Sequence, residues 1–154
     1  MNFERSSGVL LHPTSLPGPF GSGDLGASSY HFIEWLVVAG QKLWQMLPLG
    51  PVGMGDSPYM CLSAFAGEPM MIDLQELADR GWLSLSEIQD IPQFNQNKVH
   101  YGDVKTFRMN KLRIASRQFL SSPCSSLSRS ARTEVFSFSI FFPASSHALP
   151  SPAI

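Results

Sequence analysis

The segment from Leu47 to Pro69, LPLGPVGMGDSPYMCLSAFAGEP, constrains the fold more than any other stretch, because it follows an apolar run yet suits neither a helix nor a regular strand. Glycines at 50, 53, 55 and 67 permit positive φ, while Pro48, Pro51, Pro58 and Pro69 fix φ and remove donors. A long, bent but stiff loop is the expectation. It carries Asp56, Ser57 and Tyr59: a carboxylate, a hydroxyl and an aromatic ring with a polar tip, with Pro58 biasing Ser57 towards an extended conformation. Such a set suits a sugar, whose hydroxyls need convergent donors and acceptors while its C–H face packs on a ring. It suits a plain turn as well, since Asp and Ser before Pro are common turn formers and Tyr59 and Phe65 can pack beneath a loop.

The flanking pattern is α/β. Gly8 to Leu11 is a short apolar run closed by His12-Pro13, as a buried parallel strand reads. Thr14 to Gly26 is a second glycine- and proline-rich loop. Ser28 is a candidate cap for a helix with Phe32, Trp35, Leu36 and Ala39 on helical spacing and Gly40 as its stop. Lys42 to Leu47 is strand-like again, which completes a β-loop-α-β unit. Met70 to Asp73 is a third candidate strand, Leu74 to Arg80 a short helix closed by Gly81, Ser86 a cap for a helix reaching Asp90, and Tyr101 to Phe119 a longer helix. Long loops after parallel strands fit a (β/α)8 barrel, and over so few strands they fit a doubly wound sheet equally well.

At 154 residues the chain is long enough for one domain with a core, and its formal net charge of −1 without a Lys/Arg cluster argues against nucleic acid. No run approaches the roughly 18 apolar residues of a membrane span, and the apolar stretch after Met1–Ser7 is too short for a signal peptide. Cys61 and Cys124 lie far apart with no CxxC partner, so reduced thiols and a cytoplasmic location are expected. The histidines at 12, 31, 100 and 147 have no metal-ligand spacing and no phosphate-binding glycine loop opens a helix, so no cofactor is expected.

Three motifs in series, LLHPTSLPGPFGSGDLG at 10–26, WQMLPLGPVGMGDSPY at 44–59 and SAFAGEPMMIDL at 63–74, closely resemble the N-terminal part of the 4-alpha-glucanotransferases, the amylomaltase or disproportionating-enzyme family. The resemblance covers about residues 7–119. It implies the front of a (β/α)8 TIM barrel over 1–82, the start of a helical insertion over 83–116, and a Ser-rich tail over 117–154 that is unrelated or read out of frame, or else a disordered native tail. The activity implied is transfer of an α-1,4-glucan segment to the 4-hydroxyl of an acceptor glucan or glucose, through a covalent glycosyl-enzyme and without a cofactor. The implied partner is α-1,4-glucan or maltooligosaccharide.

Residue by residue, the resemblance carries binding and not bond-breaking. Tyr59 corresponds to a tyrosine lining the donor sugar site, Ser57 and Asp56 to neighbours that contact or brace it, and Tyr101 to a tyrosine near the glucan groove. Each keeps a structural alternative: Asp56 bonded to its own turn, Tyr101 an ordinary half-buried side chain. His12, Pro13 and Ser15 correspond to the first loop, where shaping the barrel is the alternative. Retaining transfer needs two carboxyl groups about 5–5.5 Å apart. Asp24, Asp56 and Asp73 stand at or after strand ends, and none comes with a second acid at an informative spacing. The family's nucleophilic Asp, acid/base Glu and third Asp belong to later barrel strands and have no counterpart here, so this chain alone is expected to be inactive. A non-catalytic glucan-binding or functionless remnant is the rival reading. Met54 stands where some relatives carry an aromatic residue of a second glucan groove, Glu68 where Asn is usual, and His100 where Asp is usual.

Overall fold

The computed structural model describes residues 5–121 apart from 54, 62 and 64. The proposed tail at 117–154 therefore lies almost wholly outside the described residues, as does the side chain of Met54.

Two strands, β1 (Gly8–Leu10) and β2 (Leu43–Gln45), pair in parallel with Gly8 opposite Leu43, Val9 opposite Trp44 and Leu10 opposite Gln45. Gly8 is required by this pairing, since a Cβ there would lie 2.5 Å from the Leu43 carbonyl oxygen. The ladder continues past both ends, with Lys42 N–H donating to Ser7 O and Leu11 N–H to Gln45 O, each at 3.0 Å. Helix α1 (Ala27–Val38) makes the connection, so the β-loop-α-β unit read from the sequence is present. Phe32 meets the edge of Trp44 at 5.0 Å between centroids, which seats α1 on the strand pair.

The helix ends follow local chemistry. The α1 N-cap is Gly26 and not Ser28; the Asp24 carboxylate accepts the Gly26 N–H at 2.9 Å and the Asp24 carbonyl accepts the Ser29 hydroxyl. The helix thus starts without a side-chain cap, and the Asp24 carboxylate two residues upstream holds the N–H of the N-cap residue itself. At the other end Gly40 adopts φ +69, its N–H donating to Val37 O and that of Gln41 to Leu36 O, a Schellman pair. Helix α2 (Leu74–Asp79) closes in the same way, with Gly81 at φ +75 and the N–H groups of Gly81 and Trp82 donating to Ala78 O and Leu77 O.

Met70 to Asp73 is not a strand. Pro69–Met71 is a 3-10 turn, and Asp73 accepts the Gln75 N–H at 2.9 Å as the N-cap of α2. The apolar run Met70-Met71-Ile72 matches a strand in composition, but Pro69 and two capping acids on either side bend it into consecutive turns. Likewise α3 (Leu85–Gln89) is capped by Ser84 and not Ser86, with Glu87 reaching back to accept the Ser84 N–H at 2.8 Å. The longest helix, α4 (Tyr101–Ser121), buries Val104, Arg108 and Ala115 along one face.

The core lies among loops and helices, away from the sheet. Phe20 of the first loop, Leu74 of α2, Leu83, Ile88 of α3 and Ala115 of α4 form one buried cluster, with Leu77, Trp82, Phe107 and Leu112 packed around it. At its margin Arg108 is fully buried and ion-paired, its Nη2 donating to Asp24 Oδ2 at 2.8 Å and to the Ile72 carbonyl at 2.6 Å. The guanidinium also lies over the Phe20 ring, 5.9 Å from its centroid. One side chain of α4 thereby joins the first loop to the turn before α2.

Candidate substrate-binding site

The bend that carries the sugar-suited side chains is a narrow excursion with a defined foot. Val52 and Cys61 face each other as an isolated antiparallel bridge, and Gly53 N–H donates to Met60 O at 3.1 Å. The chain reverses at Gly55, φ +90, and Asp56, φ +53. Asp56 is a residue type that tolerates the left-handed region, where a β-branched residue would be strained. Ser57 is extended at φ −85, ψ 127, as Pro58 requires, and its carbonyl accepts the Met60 N–H at 2.9 Å, closing the 3-10 turn Pro58–Met60. Tyr59 rides on that turn with 71% of its surface exposed, so its ring is displayed to solvent and not packed beneath the loop.

Asp56 and Tyr101 come together across a small pocket of about 20 Å³, which His12, Thr14, Glu68 and Met71 also line. That volume is on the scale of one water molecule or one hydroxyl group. Ser57 and Tyr59 stand on the same bend but do not line this pocket. Tyr101, at the first turn of α4, shares a hydrogen bond of 3.3 Å with Thr14 Oγ1, which in turn lies 2.7 Å from His12 Nδ1. His12 Nε2 is buried with no hydrogen-bond partner among the described residues. Burial lowers the His12 pKa and the nearby Pro48 carbonyl, too poorly aligned to count as a partner, opposes it, so the neutral imidazole is favoured. Tyr101 also lines an open groove between the first loop and the 92–99 segment, together with Ser15, Asn95 and Asn97. Hydroxyls and amides are suitable partners for sugar hydroxyls.

Asp24 and Asp73, far apart in sequence, prove to be close neighbours: a Cβ at Gly26 would collide with both Asp73 Oδ2 and Asp24 Oδ1. Burial raises the Asp73 pKa, the Gln75 N–H opposes that, and the Asp24 charge raises it further. Two adjacent carboxyls with one pushed up is the form of a catalytic pair. These two are committed elsewhere. Asp24 has one oxygen on the Gly26 N–H and the other on Arg108, Asp73 caps α2, and neither lines the pocket or the groove. They hold the scaffold together. Among the described residues no cluster of His, Cys, Asp and Glu is arranged to hold a metal ion, and no helix is long and apolar enough to cross a membrane.

Sequence reasoning missed Glu68 and Arg108. Glu68 has 8% of its surface exposed, and its carboxylate accepts the N–H of Val52 at 3.0 Å and of Met70 at 3.2 Å. An acid immediately before a proline that opens a turn is a cap signal, but the long-range bond to Val52 has none. For Arg108 the signal is its position, in register with Val104 and Ala115 on the apolar face of α4.

The structure is similar to an amylomaltase from Streptococcus agalactiae solved in complex with acarbose, with a TM-score of 0.74 and 38% identity over 84% of this chain and 26% of that one. In sequence, residues 11–153 match the family model described as 4-alpha-glucanotransferase, and the chain belongs to that family. The 4-alpha-glucanotransferase of Thermus thermophilus is 49% identical over 119 residues, 77% of this chain and 23% of that protein. That of Synechocystis is 47% identical over 116 residues, 75% of this chain and 23% of the relative. The family match thus reaches beyond residue 119, where the motif resemblance stops, and the chain spans about 23% of the length of these relatives.

Proposed function

We propose that the chain supplies the donor-sugar contacts of a 4-alpha-glucanotransferase, an enzyme that cuts an α-1,4-glucan, holds the donor covalently and passes it to the 4-hydroxyl of another glucan. The observation that carries this reading is the bend at Gly55–Asp56, which displays the Tyr59 ring to solvent beside a pocket shared by Asp56 and Tyr101. A sugar stacked on Tyr59 would have carboxylate and hydroxyl partners to draw on in Asp56, the neighbour three residues before it, and Tyr101 across the pocket. Ser57 braces the turn through its carbonyl, and its hydroxyl is the remaining candidate contact. The parallel β1–α1–β2 unit supports the front of a (β/α)8 barrel, with α3 and α4 as the start of a helical insertion beside it. Two cysteines without a spacing for a disulfide framework favour the cytoplasm.

Chemistry requires more than this site holds. The close carboxyl pair, Asp24 and Asp73, is tied to Arg108 and to helix caps, so neither is free to attack a sugar or protonate a leaving group. This chain therefore binds maltooligosaccharide weakly and does not turn it over. Incubation with maltotriose, followed for hours by glucose release, is expected to give none. Sustained release that is lost on substituting Asp24, Asp56 or Asp73 would overturn the assignment of these acids, and a failure to bind any maltooligosaccharide would favour the reading of a functionless remnant.

A further inference from the structure

We propose that Glu68 is a positioning residue for sugar binding: its buried carboxylate anchors the foot of the 52–61 bend and so fixes where Tyr59 stands. The proposal rests on the reading that this bend takes the donor sugar. Among the described residues, few contacts besides this one hold the bend. Its two arms are joined by the Val52–Cys61 bridge and the Gly53 to Met60 bond, and Tyr59 on the returning arm is exposed. At the foot the situation is different. Glu68 Oε2 accepts the Val52 N–H at 3.0 Å, Oε1 accepts the Met70 N–H at 3.2 Å, and the Glu68 N–H donates to Leu49 O at 2.8 Å.

One residue thus touches the chain before the bend, the first residue of the bend and the 3-10 turn after it. Met70 and Met71 of that turn are buried, so the anchor transmits the rigidity of the core to a loop that has little of its own. A carboxylate suits the task because it accepts at both oxygens and makes charge-assisted bonds to backbone N–H groups. The pocket it lines has room for about one water molecule, so backbone N–H groups are the partners its oxygens find there. Val52 N–H points inward to this carboxylate across sixteen positions of sequence, a bond that local turn chemistry does not require.

A double-mutant cycle with maltoheptaose as the probe separates anchoring from general stability. Glu68→Ala is expected to raise the dissociation constant up to about fivefold, less than the roughly tenfold upper value of losing the Tyr59 ring through which it acts. In the Tyr59→Ala background the same substitution is expected to change it by less than about twofold, because the ring being positioned is gone. Glu68→Gln retains one acceptor without the charge and is expected to fall between, which keeps the cycle available if the Ala variant does not fold. Hydrogen exchange at the Val52 amide gives an independent readout, with at least about tenfold acceleration expected in either Glu68 variant while α4 amides are unchanged. Equal losses in both backgrounds, or a Val52 amide whose exchange ignores the carboxylate, would overturn the proposal. A Tyr59→Ala variant that binds like the parent chain would instead overturn the sugar-site reading, leaving the anchor to stand or fall on the Val52 amide.

Discussion

The two ends of the crossover unit and the helical body that follows are built to different standards. Around Leu74 the packing is complete: Phe20, Leu83, Ile88 and Ala115 are buried together, and Val104 and Arg108 have no exposed surface. The strand pair and α1 are half finished by comparison, with Leu10 55%, Leu43 51%, Trp35 53% and Val38 88% exposed. Each strand buries only its middle residue, and that only in part. The contrast teaches where rigidity comes from in this molecule. It comes from glycine- and proline-rich loops packed on α2, α3 and α4 and pinned to α4 by the Asp24–Arg108 contact, and the loop that displays Tyr59 is tied to that body through Glu68 and the Met70–Met71 turn.

The largest effect should come from the pin between first loop and α4. Removing Arg108 as Arg108→Met leaves the Asp24 carboxylate buried and unpaired, a loss of about 3–5 kcal/mol by analogy with other broken buried pairs. Chemical denaturation measures it. A loss under about 1 kcal/mol would mean that Asp24 is solvated in solution and that the body is less tightly closed than its packing implies.

Hydrogen exchange addresses the contrast itself. Amides of Val9–Leu11 and of β2 are expected to exchange with opening free energies several kcal/mol below those of α4, because strands exposed on their apolar faces forgo roughly 25 cal/mol per Å² of burial. The exposed faces also favour self-association, so the chain is expected to aggregate as its concentration rises. Equal protection of the strands and of α4 in a dilute monomer would erase the distinction.

A smaller effect concerns the bend. Tyr59→Ala should weaken maltoheptaose about two- to tenfold, the value of a ring stack, and Ser57→Ala less. Equal losses would mean that Tyr59 is not the platform.

The smallest effect is on acid stability. His12 has its pKa lowered in the folded chain, so folding favours the neutral imidazole. The stability this contributes is complete above the unfolded value of about 6.5 and is lost as the pH falls through it towards the folded value. His12→Asn should flatten that part of the stability–pH curve. For Asp73 the sign is reversed: burial and the Asp24 charge raise its pKa, so its ionisation works against folding above the folded value and Asp73→Asn, which can still cap α2, should stabilise at neutral pH.

Much of the fold was legible because it is written locally. Gly40 and Gly81 stop their helices where the spacing predicts, and Pro58 extends Ser57 as its ring demands. The turns over Met70 to Ile72 were not legible, because the run is apolar enough for a strand and only Glu68 and Asp73 as caps reveal them. Ser28 and Ser86 were plausible caps, displaced by Gly26 with Asp24 behind it and by Ser84 with Glu87. Of the site, the bend and Tyr59 followed from composition and order, whereas the meeting of Asp56 with Tyr101, and of Asp24 with Asp73, joins residues that no sequence spacing connects.

A sugar taken on the bend side of the body, and not on the exposed strand face, would move one set of backbone signals and leave the other in place. Titration of the isotope-labelled chain with maltoheptaose, followed by backbone NMR shifts, tests it most directly. The account predicts shifts at Asp56, Ser57, Tyr59 and Tyr101 that saturate together in the millimolar range, about 4 kcal/mol of binding, with β1, β2 and the outer face of α1 unmoved. Shifts confined to Leu10, Trp35 and Leu43, or none at any concentration in a chain whose α4 amides are protected, would contradict it.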